Sequence, residues 1–330
     1  MKVAVVGAGG IAKVHLQAYK RMDDVNVVAF MDAAPERVRG LAEEWNVPVY
    51  TDFDEMLASV AVDVVDICAP THVHKEYAIR AMDAGKHVVC EKPIAVDLES
   101  GEAMLAAAKA NGVYFMVAHV VRFWPEFEYL KSAYENNVYG SLHHILFSRI
   151  SRYPVWSSNG WMLEEDKSGL APVDLHIHDT DFIHYMLGEP SDVRSHAVTH
   201  GSKISYIHTT YEFNELTVDA EGAWYPADIP FRAGFRAVFD QGVLEYRDGD
   251  LVFYGDGREP LRIEAGERIT TNAGINVDSV YPYYAELRYF IDCVASGAPL
   301  EKATGESSIR SLRTVLSEVE AAKAAQAAMG

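Results

Sequence analysis

The sequence predicts two domains: an α/β domain around a doubly wound parallel sheet, then an α+β domain around a large, mainly antiparallel sheet. Three observations predict this. The chain opens on an apolar run that enters a glycine turn and a helix, Lys2-Val3-Ala4-Val5-Val6-Gly7-Ala8-Gly9-Gly10-Ile11-Ala12. Strand and helix patterns then alternate through the first third, as they do when helices cover both faces of a parallel sheet. Beyond about residue 122 the pattern changes to alternating apolar and polar runs joined by short turns, which indicates antiparallel pairing. At 330 residues the chain exceeds a typical single domain, and the change of pattern sets the expected division at 1–122 and 123–330.

In the first domain, strands are expected at 2–6, 26–31, 48–50, 63–68, 87–90 and 113–117, with helices at 11–22, 35–45, 53–58, 74–84 and 97–111. This is a Rossmann-type unit, whose ligands bind outside the carboxyl ends of the strands. In the second, strands are expected at 143–152, 193–200, 204–212, 217–224, 232–239 and 243–247. Asn214-Glu215, Asp240-Gln241-Gly242 and Asp248-Gly249-Asp250 serve as turns. Helices at 164–187, interrupted near Pro172, and at 281–296 and 305–326 complete the domain.

The opening turn has a mechanism. Gly7 permits the tight bend, Gly9 lets the backbone approach a pyrophosphate, and Ala12 stands for a third glycine where helix and strand pack closely. The helix then offers its unpaired N–H groups to the phosphate. Asp32 ends a second apolar run, Val27-Val28-Ala29-Phe30-Met31, at the distance where an acid accepts the ribose hydroxyls and repels a 2′-phosphate. NAD is therefore expected over NADP, although Arg37 lies where an arginine can reach a phosphate.

Composition narrows the partners. The formal charge of −19 and the lack of a basic stretch argue against nucleic acid and anionic membrane surfaces. Cys68, Cys90 and Cys293 are few, odd in number and far apart, which suggests neither a disulfide framework nor a thiolate metal site. With no apolar leader and no apolar stretch of about 18 residues, a soluble cytoplasmic protein is expected.

Glu91-Lys92-Pro93 closes the run Gly85-Lys86-His87-Val88-Val89-Cys90, which reads as a buried strand following a helix. Pro93 holds Lys92 extended at the carboxyl edge of the sheet, where a nicotinamide lies once the pyrophosphate sits at Gly9. Glu91 is expected to pair with Lys92 or a backbone group, and the Lys92–Pro93 bond is a candidate for the cis isomer. Asp174 and His178 are four apart, so on a helix they share a face as a linked acid and base, with Asp181 one turn on. Oxidising a secondary alcohol requires removal of its hydroxyl proton, and histidine titrates in the right range for that. His176, His178, Asp179, Asp181 and His184 also form a dense ligand-like cluster. Residues 176 and 178 point about 200° apart on a helix and cannot chelate one ion, so no metal is expected. His15 is expected to be a packing residue near the phosphate turn.

Glu91-Lys92-Pro93, the loop Ala69-Pro70-Thr71 followed by His74, the stretch Arg122-Phe123-Trp124-Pro125, and Asp174-Leu175-His176-Ile177-His178-Asp179-Thr180-Asp181 together resemble one family over essentially the whole chain. It is the glucose-fructose oxidoreductase, inositol dehydrogenase and rhizopine-catabolism (Gfo/Idh/MocA) oxidoreductase family. Two departures bear on the substrate: Gly169-Leu170-Ala171-Pro172 replaces a longer glycine run, and Thr71 stands where Asn is frequent. The resemblance implies an NAD-dependent dehydrogenase acting on a secondary hydroxyl of a sugar, sugar derivative or cyclitol, with Lys92, Asp174 and His178 as the catalytic set. It also implies cofactor contacts from Gly7, Gly9, Gly10, Ile11, Ala12, Asp32, Arg37, Ala69, Pro70, Thr71, His74, Glu91, Lys92 and Arg122.

Aromatic side chains such as Tyr153, Trp156, Trp161, Trp224, Tyr225, Tyr281, Tyr283 and Tyr284 suit stacking on a sugar or cyclitol ring. Arg152, Trp161 and Tyr283 are the substrate candidates. Within the same family, glycosidases use bound NAD for transient oxidation at C3 followed by elimination, and some relatives act as non-catalytic regulators. The long antiparallel sheet of the second domain is expected to leave an apolar face too large for a monomer unless covered, and relatives cover it by pairing sheets as homodimers or homotetramers.

Overall fold

The computed structural model describes residues 1–201, 203–271, 277 and 279–329. Two compact units emerge, Met1–Phe123 with Arg268–Ile309, and Trp124–Glu267 with Arg310–Gly330. The break after Phe123 adjoins the expected boundary, but Arg268–Ile309, expected in the second domain, packs with the first unit.

The first unit alternates as expected: β1 (Lys2–Val6), α1 (Gly10–Tyr19), β2 (Asn26–Met31), α2 (Pro35–Trp45), β3 (Val49–Tyr50), α3 (Phe53–Ser59), β4 (Val64–Ile67), α4 (His74–Asp83), β5 (His87–Glu91), α5 (Leu98–Asn111) and β6 (Phe115–Ala118). Local signals set the boundaries. Asp52 and Asp97 accept the N–H groups of Glu55 and Ser100 at 2.8 and 2.7 Å and so cap α3 and α5. Gly112, at φ 61°, takes the left-handed position that closes α5. The strands form a six-stranded parallel sheet in the order β3-β2-β1-β4-β5-β6. β4 and β6 are buried at every residue, as strands covered on both faces must be. Strand order reverses between β1 and β4, which places the ligand crevice at the carboxyl ends of those strands and their neighbours.

The second unit contains α6 (Pro125–Glu135), β7 (Leu142–Arg152), α7 (Glu165–Ser168), a π turn at Pro172–His176, α8 (Ile177–Leu187), β8 (Asp192–His200), β9 (Lys203–Glu212), β10 (Thr217–Tyr225), β11 (Arg232–Phe239), β12 (Gly242–Arg247), β13 (Asp250–Gly255) and β14 (Leu261–Ile263). These strands form one sheet of eight in the order β14-β13-β12-β11-β7-β10-β9-β8. All neighbours pair antiparallel except β7 and β10, whose parallel register runs from His144 against Thr217 to Arg152 against Tyr225. α6, β13 and β14 were not expected. Pro125 at the first helical position and Glu126 and Glu128 in the first turn mark α6. Asp248-Gly249 turns directly into β13, so the turn expected at 248–250 is the bend of a hairpin.

The inner face of this sheet is aromatic. The Phe127 ring lies 5.1 Å from Phe182 and 5.3 Å from Phe235, both edge-on, in the geometry that ring quadrupoles favour. The outer face is mixed rather than apolar. His144, Leu146, Ser148 and Ile150 alternate along β7, beside Asp219 and Glu221 of β10 and Tyr206, His208 and Thr210 of β9, all half-buried. His144 and Thr210 bond Asp219 at 2.9 and 2.6 Å, and Ser148 bonds Glu221 at 2.6 Å.

Two further helices, α9 (Tyr281–Ser296) and α10 (Gly305–Met329), follow. α9 lies in the first unit, where it packs on α1. Among the described residues no helix is long and apolar enough to cross a membrane.

Candidate active site

In the first unit the chemistry gathers where the sheet topology directs it. Gly7 has φ 83°, and a Cβ there would lie 2.7 Å from the Ala69 Cα and 2.8 Å from its nitrogen. Only glycine fits, because the turn after β1 runs against the loop after β4. A Cβ on Gly9, by contrast, would meet nothing within 4 Å. Gly9 caps α1 without a side-chain hydrogen bond, so the first N–H groups of the helix have no side-chain cap. Ala12 is fully buried.

Asp32 follows β2. One carboxylate oxygen accepts the Ala34 N–H at 2.8 Å and the other the Ala8 N–H at 2.9 Å, which ties the end of β2 to the glycine turn. An ionised carboxylate has about four lone-pair sites, so two remain for a vicinal diol. Arg37 is exposed on α2.

The loop after β4 carries Ala69 and Pro70, both half-buried, and Thr71, which is buried. His74 opens α4 and places its two ring nitrogens 2.8 and 3.0 Å from the carbonyls of Ala69 and Pro93. Burial holds its pKa below the ordinary histidine value. A neutral imidazole has one N–H to donate, so His74 bonds one of these two carbonyls where the Ala69 loop meets the end of β5. At that end stand buried Glu91 and half-buried Lys92, and the Lys92–Pro93 bond is cis. Glu91 accepts the Lys92 backbone N–H at 3.1 Å and lies 3.0 Å from the Nε2 of His15. These residues offer what a dinucleotide needs: an open helix N-terminus, a carboxylate with spare acceptors, and a lysine at the strand edge.

Behind them lies a buried polar group that the sequence did not announce. His15 Nδ1 is 2.9 Å from Asp66, which also accepts the Tyr19 hydroxyl at 3.0 Å and the Cys68 thiol at 3.5 Å. Burial drives the Cys68 thiol far above its ordinary pKa, and Asp66 adds to the effect. Glu286 of α9 is fully buried beside this group; burial, then the charge of Glu91, raises its pKa well above the carboxylate range. The charge of buried Arg122 works against that rise. Tyr283, on the expected helix at 281–296 but expected in the second domain, lies on α9 in the first unit, with its ring 5.9 Å from His15. Two signals could have shown the group: Asp66 inside the apolar strand Val64-Val65-Asp66-Ile67, and Glu286 among the buried Tyr283, Leu287 and Phe290 of α9.

In the second unit the helix expected through 164–187 is divided. α7 ends at Gly169, the π turn carries Asp174, and α8 carries His178. Gly222 of β10 explains how the π turn seats, since a Cβ there would stand 2.7 Å from the His176 Cβ. Asp174 is 8 % exposed and His178 is half-buried, whereas His176, Asp179, Thr180 and Asp181 are buried completely. Those four are bound elsewhere. His176 lies 3.1 Å from Glu318, Asp179 takes two hydrogen bonds from Arg149 at 2.8 and 2.9 Å, Thr180 bonds Tyr211 at 2.8 Å, and Asp181 accepts from Ser311 at 2.8 Å. His184 bonds Thr314 at 2.9 Å. The dense His and Asp stretch thus contains residues that anchor the helix, with Asp174 on the π turn and His178 on α8. Of the substrate candidates here, Trp161 packs on the cluster of Met162, Leu170, Ala171, Leu175 and Trp224. Arg152 is exposed and bonds Asp228 at 2.7 Å.

Comparison with known proteins places the chain. Residues 1–119 match the oxidoreductase family with an NAD-binding Rossmann fold, and residues 127–245 match the GFO/IDH/MocA C-terminal domain. The chain is 32 % identical over 257 residues to D-glucoside 3-dehydrogenase of Escherichia coli, covering 77 % of this chain and 69 % of that protein. It is 32 % identical over 190 residues to myo-inositol 2-dehydrogenase of Thermotoga maritima, covering 57 % of this chain and 55 % of that one. Levoglucosan dehydrogenase, solved with NADH and levoglucosan, superposes with a TM-score of 0.84 at 20 % identity, over 98 % of this chain and 97 % of that one. The protein is an oxidoreductase with an NAD-binding Rossmann domain, and it belongs to the Gfo/Idh/MocA family.

Proposed function

We propose that the protein is an NAD-dependent dehydrogenase that oxidises a secondary hydroxyl of a sugar, sugar derivative or cyclitol. The observation that carries this reading is the set at the carboxyl ends of β1, β2, β4 and β5: the open Gly9 turn, Asp32 with two acceptor sites to spare, and Lys92 at the strand edge. Gly9, Gly10 and Ile11 would hold the pyrophosphate and Asp32 the adenosine ribose, with Ala69, Pro70 and Thr71 lining the same edge. Bound NAD supplies the hydride acceptor. Lys92 places an ammonium where it favours the alkoxide form of the substrate hydroxyl. His178 takes the hydroxyl proton, and Asp174, four residues before it, orients the imidazole or bonds a neighbouring hydroxyl. The names of the glucoside, inositol and levoglucosan relatives support a ring-hydroxyl substrate. Screening aldoses, polyols and cyclitols for NADH absorbance tests the reading; a panel without NADH formation contradicts it.

Cofactor choice is a separate expected result. NAD should bind much more tightly than NADP. Asp32→Ala should weaken NAD by about 10-fold or more, the loss of a hydrogen bond to a charged group, and narrow the gap to NADP by removing the repulsion. Calorimetric titration checks it, and equal affinities in the unmodified protein contradict it.

A homodimer or homotetramer is also proposed. With the outer sheet face mixed rather than apolar, this rests on the family resemblance and not on uncovered apolar area. Light scattering at micromolar concentration should return a multiple of 36.6 kDa; the mass of one chain would refute it.

A further inference from the structure

We propose that His15 is a positioning residue that ties the phosphate-binding helix to the catalytic strand end, holding Glu91 and through it Lys92. The inference rests on the reading of Lys92 above and adds what keeps it in place. His15 lies on α1, two turns beyond the Gly9 cap, and is fully buried. Its Nδ1 faces Asp66 on β4 at 2.9 Å and its Nε2 faces Glu91 on β5 at 3.0 Å. Both partners are acceptors when ionised, so satisfying both needs two N–H donors, which only the imidazolium has. Glu91 spends its other oxygen on the Lys92 N–H at 3.1 Å, so its carboxylate is fixed at both ends. One ring thus spans α1, β4 and β5 and fixes the strand end from which Lys92 projects.

The charges around the ring agree with this. Burial alone would lower the His15 pKa, but the charge of Asp66 and hydrogen bonding to it raise the value well above the ordinary one. The titratable groups facing it are Asp66 and Cys68 from β4, Glu91 from β5, Tyr19 from its own helix and Glu286 from α9. Burial, and then the neighbouring carboxylates, raises the pKa values of Cys68, Tyr19 and Glu286. Asp66 retains Tyr19 and Cys68 as donors if the ring is removed, whereas the Oε1 of Glu91 loses its His15 partner.

That asymmetry supplies the test. The amide nitrogen of glutamine reaches about where Nε2 stands and that of asparagine about where Nδ1 stands. His15→Gln therefore keeps a donor for Glu91, and His15→Asn keeps one only for Asp66. Acetic anhydride labelling of the unmodified protein and each variant, read by mass spectrometry at Lys92 against Lys109, reports how firmly Lys92 is held and needs no turnover. His15→Asn should raise Lys92 labelling by about threefold or more, with His15→Gln within about twofold of the parent. It should also lower turnover by roughly 10- to 10²-fold, as misplacing a catalytic group does, with NAD affinity little changed. Equal labelling in all three proteins, or an equal rise in both variants, overturns the proposal. If His15→Asn does not fold, Glu91→Ala cuts the same tie from the other end and should raise Lys92 labelling likewise; no change there overturns it. Lys92→Ala separates the two readings, since full turnover in that variant removes Lys92 from catalysis while the labelling result still decides the tie.

Discussion

Replacing His178 or Lys92 by alanine is expected to lower turnover by about 10²-fold or more while leaving each unit folded. Positioned acid–base groups typically contribute about 10²- to 10⁴-fold, and a charge aimed at a developing oxyanion contributes on a similar scale. Neither side chain sits deep in a core: both are half-buried, so truncation leaves no large cavity. NAD binding should survive in His178→Ala, because the residues proposed to hold the dinucleotide all lie in the other unit. Asp174→Asn should give an intermediate loss and a displaced pH profile, since a carboxylate about one turn from the base affects its orientation and protonation without accepting the proton itself. Steady-state kinetics across pH 6 to 9 checks all three variants. Near-normal turnover in His178→Ala across that range would pass the base role to Lys92 or Asp174.

The second large effect is on stability. Arg149 and Asp179 are joined by two hydrogen bonds at 2.8 and 2.9 Å and are 2 % and 0 % exposed. Asp179→Ala leaves the guanidinium charged, buried and without this carboxylate, and breaking one side of a buried pair costs about 3–5 kcal/mol. It also releases α8 from β7 beside His178. Denaturant unfolding should therefore show a large loss in the second unit, and activity should fall even in protein that remains folded. Removing both charges, as in Arg149→Met with Asp179→Leu, should recover much of the stability, because the desolvation cost disappears along with the attraction. A loss below about 1 kcal/mol in Asp179→Ala would show that water or another group compensates Arg149.

The legibility of this chain follows from physics that differs between its halves. Parallel strands covered on both faces must be continuous apolar runs, so β1, β2, β4 and β5 could be read directly, and the turn at Gly7 and the strand end at Glu91-Lys92 fall where sheet topology puts ligands. The second unit was harder. β14 has three residues, too few to show a period, and the helix-starting Pro125 was absorbed into the motif beginning at Arg122. The return of α9 to the first unit is a tertiary event that local pattern does not encode; the buried acid Glu286 on its apolar stripe was the available clue. His15 was read as packing because a lone histidine on an apolar helix face usually is. Its two carboxylate partners lie 51 and 76 residues away on other elements, and only the folded chain brings them to it.

Hydride transfer itself is tested most directly by isotope. A sugar or polyol that the protein consumes, deuterated at the carbon that bears the oxidised hydroxyl, is incubated with the protein and excess NAD, and the nicotinamide product is analysed by mass spectrometry. Deuterated NADH in an amount equal to the ketone formed is the predicted result. Substrate consumption with no net deuterated NADH would contradict it, and would point instead to transient oxidation and elimination on a retained cofactor.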